Sequence, residues 1–365
     1  MYRADRRYHL LAIGKTGVGK STFLKTLINQ DITNGDGVAL LDVHGDLAAE
    51  VVKRVPDWRR EDLIHVDVRR PGSWFFNPLA GVAQSKQPLA AAGLVEVFRK
   101  IWGDASWGPR LEHVFRHVAL TLLEVDRSTL ADVPRLLLDE AFRRVTIDRL
   151  SSRGLQAFWR DEFEKMSPSM RTVASAPILN KVGAFLSHPV LRSILCEGAS
   201  TFKMRDVMDS KKILIVNLAK GEIGEQPSSL LGSLLVSYIA LAGLSRADTP
   251  EWVRRDFYVY LDEFHSFATL HLATMLSELR KYRVNLLLAH QYFGQLELSV
   301  RDAVLGNIGT LLSFRVGSRD AQLLKGELQS RFLSKDFVRL PNFHAYLRLM
   351  ISGQTSVAFS ACLFG

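Results

Sequence analysis

The sequence predicts an α/β protein: a doubly wound, mostly parallel sheet interrupted by an all-helical insertion. Three observations carry this reading. Nearly continuous apolar runs rich in Val, Ile and Leu recur at both ends of the 365-residue chain, as expected for strands buried on both faces. They are "YHLLAI" (8–13), "GVALLDV" (37–43) and "LIHVDV" (63–68), then "KILIVNL" (212–218), "FYVYLDE" (257–263), "VNLLLAH" (284–290) and "TLLSFRV" (310–316). Helix-length connections separate them. From about Ser85 to Arg205, by contrast, helical periodicity dominates. The expected division is therefore a discontinuous α/β domain of residues 1–84 and 206–365, with an inserted all-α domain of residues 85–205.

The first strand runs into Gly14-Lys15-Thr16-Gly17-Val18-Gly19-Lys20-Ser21, a complete GxxxxGK[ST] match followed by a helical pattern that starts with Thr22. Glycines let successive backbone N–H groups turn toward phosphate oxygens, and a helix N-terminus adds positive charge. Lys20 is placed to neutralise the outer phosphates and Ser21 to ligate Mg²⁺. The insertion begins later, and "RLEHVFRHVALTLL" is typical of it: Leu111, Val114, Phe115, Val118 and Leu122 share one helical face, with His113, Arg116 and His117 opposite.

The strand "FYVYLDEF" ends in Asp262-Glu263, the pattern of a Walker B strand. Asp262 would hold Mg²⁺ and Glu263 would polarise the attacking water. The strand "VNLLLAHQY" ends in His290-Gln291, and a polar residue at the carboxyl end of a neighbouring strand points into the same crevice, where Gln291 could bond the γ-phosphate or the water. Ahead of that strand, "SELRKYR" supplies Arg280, Lys281 and Arg283. An arginine delivered by a neighbouring subunit stabilises charge in phosphoryl transfer; Arg280 is the first candidate and Arg315 the second.

Other features narrow the class. The chain has 47 Lys+Arg against 38 Asp+Glu, net +9, which favours an anionic partner such as nucleic acid or an acidic membrane surface. Its two cysteines, Cys196 and Cys362, form no CxxC pair and fit a reducing compartment. No secretory signal precedes the first strand, and "LLGSLLVSYIALAGL" (230–244) is shorter than the ~20 residues of a spanning helix, so it reads as a buried helix in a cytoplasmic chain. "DVHG" (42–45) and "NKVG" (180–183) mimic GTPase motifs, but Gly183 cannot accept from guanine and NKVG lies inside a helical pattern, so ATP is the expected nucleotide. His113 and His117 lack the glutamate of HExxH and a third ligand; a basic helix face is the better account.

Taken with "LLDVHGDL", "NPL", "WGPRLEHV", "KILIVNLAKGEIG", "YLDEFHSFAT", "ELRKYRVNLLLAHQY" and "GNIGTLLSFRVGSRDA", the phosphate loop makes nearly the whole chain resemble the TraG/TraD-like coupling ATPases of conjugation and type IV secretion, within the FtsK/HerA superfamily of P-loop DNA pumps. The resemblance implies a RecA-like P-loop fold carrying an all-α domain, and a homo-hexamer with ATP and Mg²⁺ between subunits. It puts Lys20, Ser21, Asp262, Glu263 and Gln291 on nucleotide-site positions, Arg280 where the trans arginine is carried, and Asp42 on an acidic position near the nucleotide. It also implies DNA, held through its phosphates, as cargo, with relaxase or secretion-channel proteins as partners at the cytoplasmic face of the inner membrane. Neither the membrane-spanning N-terminal region of typical coupling proteins nor the N-terminal β-barrel of the HerA type is recognisable. The alternatives are a HerA-like translocase acting with a nuclease in end processing or defence, an ATP-dependent assembly factor without DNA, and a small-molecule kinase, for which no acceptor motif is seen.

Overall fold

The structure, a computed structural model, describes residues 2–70, 72–329 and 331–363. Two compact units make up the chain: Met1–Asp67, Arg205–Ala219 and Ala242–Gly365 in one, Val68–Met204 and Lys220–Leu241 in the other.

The first unit is built on a sheet. All seven expected strands form, most slightly shorter than their apolar runs: β1 (Leu10–Ile13), β2 (Gly37–Asp42), β3 (Leu63–Asp67), β4 (Ile213–Asn217), β5 (Phe257–Leu261), β6 (Val284–His290) and β7 (Thr310–Ser313). Four further strands follow near the C-terminus: β8 (His344–Arg348), β9 (Met350–Ile351), β10 (Gln354–Thr355) and β11 (Phe359–Cys362). These escaped sequence reading because they are short and partly exposed, without the continuous apolar run that marks a central parallel strand. The order of the large sheet is β11-β8-β7-β1-β6-β5-β2-β4-β3. Every pair from β7 to β3 is parallel, and β8 and β11 extend the β7 edge antiparallel. β9 and β10 form a separate antiparallel pair.

This order decides where a site can form. β1, β6 and β5 are immediate neighbours although Leu10 of β1 and its partner Leu287 of β6 are 277 residues apart in sequence, so the segments leaving their carboxyl ends converge. The helix Lys20–Thr33 covers one face, burying Leu24, Ile28 and Ile32 against Tyr258 and Tyr260 of β5 and Leu10 and Ala12 of β1. Its lower end is tied to β5 by a buried ionic group. Arg6 Nη2 donates to Asp31 Oδ2 at 2.7 Å and to the Tyr260 hydroxyl at 3.0 Å, and that hydroxyl donates to Asp31. The Arg6 guanidinium also lies 3.9 Å from the Tyr258 ring centre.

The second unit is helical and has its own core. The helices Gln87–Trp102 and Pro109–Glu124 pack through Phe98, which lies 4.9 Å from Phe115 and 5.9 Å from Phe185 between ring centres. Leu111, Val114, Phe115, Val118 and Leu122 are all buried, as their periodicity requires. Trp159 is fully buried, and its indole N–H donates to the Thr121 hydroxyl at 2.8 Å. Residues 68–84 and 220–241 belong to this unit, whereas periodicity grouped them with the sheet. The reason is visible at "NPL": Phe76 packs edge-on against Tyr238 at 5.0 Å, and Asn77 Nδ2 donates to the Ser128 carbonyl at 2.8 Å. Periodicity reports that a residue is buried, not what it is buried against. Among the described residues one helical stretch, Glu225–Asp248, has the length and apolarity to cross a membrane, and 72% of its most apolar window is already buried in the fold.

Removing one partner of the Arg6–Asp31–Tyr260 group leaves a buried charge uncompensated. Asp31→Ala should lower unfolding free energy by about 3–5 kcal/mol and Tyr260→Phe by about 1 kcal/mol, read from denaturant unfolding.

Candidate nucleotide-binding site

The phosphate loop leaves β1 at Gly14. Gly14 N donates to the His290 carbonyl at 3.3 Å and Lys15 N to the Arg315 carbonyl at 2.9 Å, fixing the loop to the ends of β6 and β7. Glycine is required at its start, since a Cβ on Gly14 would meet Phe314 Cβ at 2.6 Å. At its end Gly19 takes φ +113° and caps the helix Lys20–Thr33. The first turn of that helix holds no acidic side chain, so its N–H groups and dipole favour an external anion. Lys15, Thr16 and Gly17 are exposed, Ser21 also, and Thr22 is half-buried; Gly14, Val18 and Lys20 are buried. Lys20 Nζ donates to the carbonyls of Gly14 at 2.5 Å and Lys15 at 2.9 Å. Burial pulls its pKa down, opposed by the negative charge of Glu263 and Asp262.

The end of β5 lies across from this helix. Ser21 Oγ is 3.5 Å from Asp262 Oδ2, while Asp262 Oδ1 accepts from Glu263 N at 3.1 Å. Asp262 is only 6% exposed, and burial, then the charges of Asp42 and Glu263, push its carboxyl up to about 6 against the pull of Lys20. Glu263 takes φ +53°, uncommon for a side chain with a Cβ, so the chain turns sharply and leaves this carboxylate facing the end of β6. There Gln291 Nε2 donates to Glu263 Oε1 at 2.9 Å. Lys20, Ser21, Asp262, Glu263 and Gln291 thus come together at three adjacent strand ends.

Two residues that sequence reading passed over complete this arrangement. Gln295 Oε1 accepts from the backbone N–H groups of Gln291 and Tyr292, both at 3.2 Å, and its amide lies 3.3 Å from His265 Nε2. His265 Nδ1 in turn lies 3.4 Å from Glu263 Oε2. The loop carrying Gln291 is therefore stapled beside Glu263, through contacts with no signature in composition or spacing. His290 is fully buried between Phe264 and Phe293, and its ring is held neutral, its pKa pushed down to about 3 by burial and by His265 and Lys20.

The other candidates are held by other partners. Arg280 is in the last turn of the helix Leu270–Lys281, exposed, with its guanidinium 3.4 Å from the Tyr8 ring centre. It precedes β6 and so sits at the opposite end of the sheet from its own phosphate loop, roughly 20 Å of strand away. Lys281 likewise faces Tyr282, and Arg283 Nη1 donates to the Arg254 carbonyl at 2.7 Å. Arg315 stays beside its own loop, held by the Leu340 carbonyl at 3.3 Å and Asn342 Oδ1 at 2.7 Å. Asp42 is consumed locally, one oxygen accepting from His44 N and the other from Ala48 N, both at 2.9 Å. DVHG is consequently a strand-to-helix turn: Gly45 has φ +95°, and a Cβ there would meet Asn217 Oδ1 at 2.2 Å. NKVG lies within the helix Pro168–Leu186, where Lys181 Nζ donates to the Ser106 hydroxyl at 3.0 Å. His113 pairs with Glu162 at 2.9 Å and His117 stacks on Phe158 with ring centres 3.9 Å apart.

Because Asp262 keeps its proton to a higher pH than it would unfolded, its ionisation removes stability as pH rises from about 4 through about 6. Asp262→Asn should therefore unfold in denaturant with a free energy greater than the parent's at pH 8, by on the order of 3 kcal/mol for two pKa units, and nearly equal to it at pH 4.

Parallel strand order, phosphate loop and acidic strand end together define a RecA-like P-loop nucleotide-binding fold. A family model described as the type IV secretion-system coupling protein DNA-binding domain matches residues 2–323, and the chain belongs to that family. Among solved structures, the unbound monoclinic form of the bacterial conjugative coupling protein TrwBdeltaN70 is 18% identical with a TM-score of 0.68, covering 100% of this chain and 86% of that one. The plasmid coupling protein TrwB in complex with ADP and Mg²⁺ is 16% identical with a TM-score of 0.71, at 100% and 86% coverage. VirB4 of Thermoanaerobacter pseudethanolicus is 13% identical with a TM-score of 0.61, at 96% and 88% coverage. At these identities the likeness is one of fold. No curated sequence matches the chain.

Proposed function

We propose that this protein is an ATP-driven DNA translocase of the coupling class, hydrolysing ATP between the subunits of a ring to move DNA for conjugation or type IV secretion. The observation that carries the chemistry is the meeting of Lys20 and Ser21 with Asp262, Glu263 and Gln291 at the ends of β1, β5 and β6. Membership of the coupling-protein family supports the cargo, and the TrwB complex with ADP and Mg²⁺ supports the ligand.

The donor set fits Mg²⁺: a hydroxyl and a carboxylate 3.5 Å apart are hard oxygen ligands, and the acidic groups that raise the Asp262 pKa make a cation welcome there. Ser21 and Asp262 would hold the ion, which when bound neutralises developing phosphate charge. The residues Gly14 to Thr22 supply N–H donors and a helix N-terminus for the phosphates. Lys20 exchanges its loop carbonyls for phosphate oxygens. Glu263 aligns and deprotonates the attacking water, and Gln291 fixes the carboxylate's orientation through the bond at 2.9 Å. Arg280, remote from its own loop, reaches a nucleotide only across a subunit boundary, which supports a trans role in a homo-hexamer. The net charge of +9 supports contact with the DNA backbone. We further propose that the helical unit, residues 85–205 and the segments packed with it, is a domain inserted into the motor.

The test is steady-state ATPase activity with and without single- and double-stranded DNA at several salt concentrations. Turnover should rise several-fold with DNA, and the DNA concentration for half-stimulation should increase about tenfold or more between 50 and 200 mM salt. A rate that DNA leaves unchanged at every salt concentration contradicts the translocase and favours an assembly factor.

A further inference from the structure

Glu263 has two carboxylate oxygens, and each is approached by a different arm of the site. Oε1 accepts from Gln291 Nε2 at 2.9 Å. Oε2 is buried, and the ring of His265 brings Nδ1 to 3.4 Å from it. His265 lies two residues beyond Glu263, in the short turn Phe264–Ser266, whereas Gln291 arrives from the end of β6. One side chain connects the two arms. Gln295 binds the backbone of Gln291 and Tyr292 through its oxygen and reaches His265 Nε2 through its nitrogen.

The chemistry of that amide settles more than position. Of its two ends only the oxygen accepts a hydrogen bond, so the contacts at 3.2 Å from Gln291 N and Tyr292 N fix which way round the Gln295 amide lies. Its NH₂ group is therefore the end 3.3 Å from His265 Nε2. A donor faces that ring nitrogen, so Nε2 must offer its lone pair; a proton there would meet the amide N–H. The ring proton is left on Nδ1, the nitrogen beside Glu263 Oε2. Nδ1–H then donates to the carboxylate. The approach of 3.4 Å is long for such a bond, and catalytic contacts of this kind shorten when the ligand completes the site.

We propose that Gln295 and His265 are positioning residues for Glu263: the amide selects the Nδ1–H tautomer of the imidazole, and that N–H holds the second carboxylate oxygen. With Gln291 on the first oxygen, the carboxylate is fixed against rotation about its Cγ–Cδ bond and presented to the water in one orientation. The proposal rests on the reading of Glu263 as the water-activating group.

The test joins a spectrum to a chemical step. In the full chain carrying nitrogen-15 histidine, the His265 ring signals are those lost in His265→Asn. The parent should show a protonated Nδ1 and a lone pair on Nε2, and Gln295→Leu should release the ring toward Nε2–H, the form that free neutral histidine prefers. Single-turnover hydrolysis and MgATP affinity are then measured for the parent, Glu263→Gln, His265→Leu and His265→Asn. Loss of a hydrogen bond to a charged group should slow the chemical step of His265→Leu by about 10- to 100-fold, with MgATP affinity within a few-fold of the parent's. Asparagine puts an amide N–H where Nδ1–H stood, so His265→Asn should recover most of that rate. A parent ring protonated at Nε2 overturns the proposal whatever the rates. So does a His265→Leu step as fast as the parent's, or an equal slowing in His265→Asn, which would make the ring a packing element only. An unslowed Glu263→Gln would instead overturn the hydrolytic reading, and the positioning role with it.

Discussion

The site depends on the packing of one helix against one strand. The helix Lys20–Thr33 meets β5 at both ends: Asp31 is held by Tyr260 and Arg6, and Ser21 faces Asp262. Tyr260 and Asp262 are two residues apart, hence on one face of the strand, so the alternation that buries the tyrosine also aims the carboxylate at the phosphate loop. The apolar contacts of Leu24 and Ile28 with Tyr258 and Tyr260 set the spacing between them.

What this packing assembles is electrostatically unfavourable in isolation. Burial, and then the charges of Asp42 and Glu263 nearby, raise the Asp262 carboxyl to about 6, and Lys20, though buried, offsets this only in part. Such a site gains from a cation and a bound polyanion together, each compensating charge that the protein has gathered. Stability given up at the strand ends is recovered in the layers beneath, where β2, β5 and β6 are buried along their whole lengths. The left-handed backbone of Glu263 belongs to the same exchange: strain accepted at a turn to orient one carboxylate.

Much of this was legible in the sequence, for identifiable reasons. Strands buried on both faces read as continuous apolar runs, which is why β1 to β7 were visible and why the polar residues ending β1, β5 and β6 stood out. The phosphate loop was legible because its glycines answer to sterics, as the Phe314 contact at Gly14 illustrates. Illegible parts depend on long-range placement. Nothing in "FGQLE" announces that Gln295 staples Gln291 beside Glu263, and nothing in "PNFHAY" announces that Phe343 lies on Gly19. Residues 68–84 read as part of the sheet domain because their partners, Tyr238 and Ser128, lie far along the chain. Asp42 combines both: its charge is felt by Asp262 at the neighbouring strand end, while its oxygens accept from the turn it starts, which its sequence position does not announce.

The central claim is that Glu263, oriented by Gln291 and standing across from Lys20 and Ser21, activates water on a triphosphate bound to this loop. Single-turnover hydrolysis by Glu263→Gln, measured beside its equilibrium affinity for MgATP, addresses it most directly. The account predicts affinity within a few-fold of the parent and a chemical step slowed by about 10²–10⁴-fold. An undiminished chemical step would contradict it.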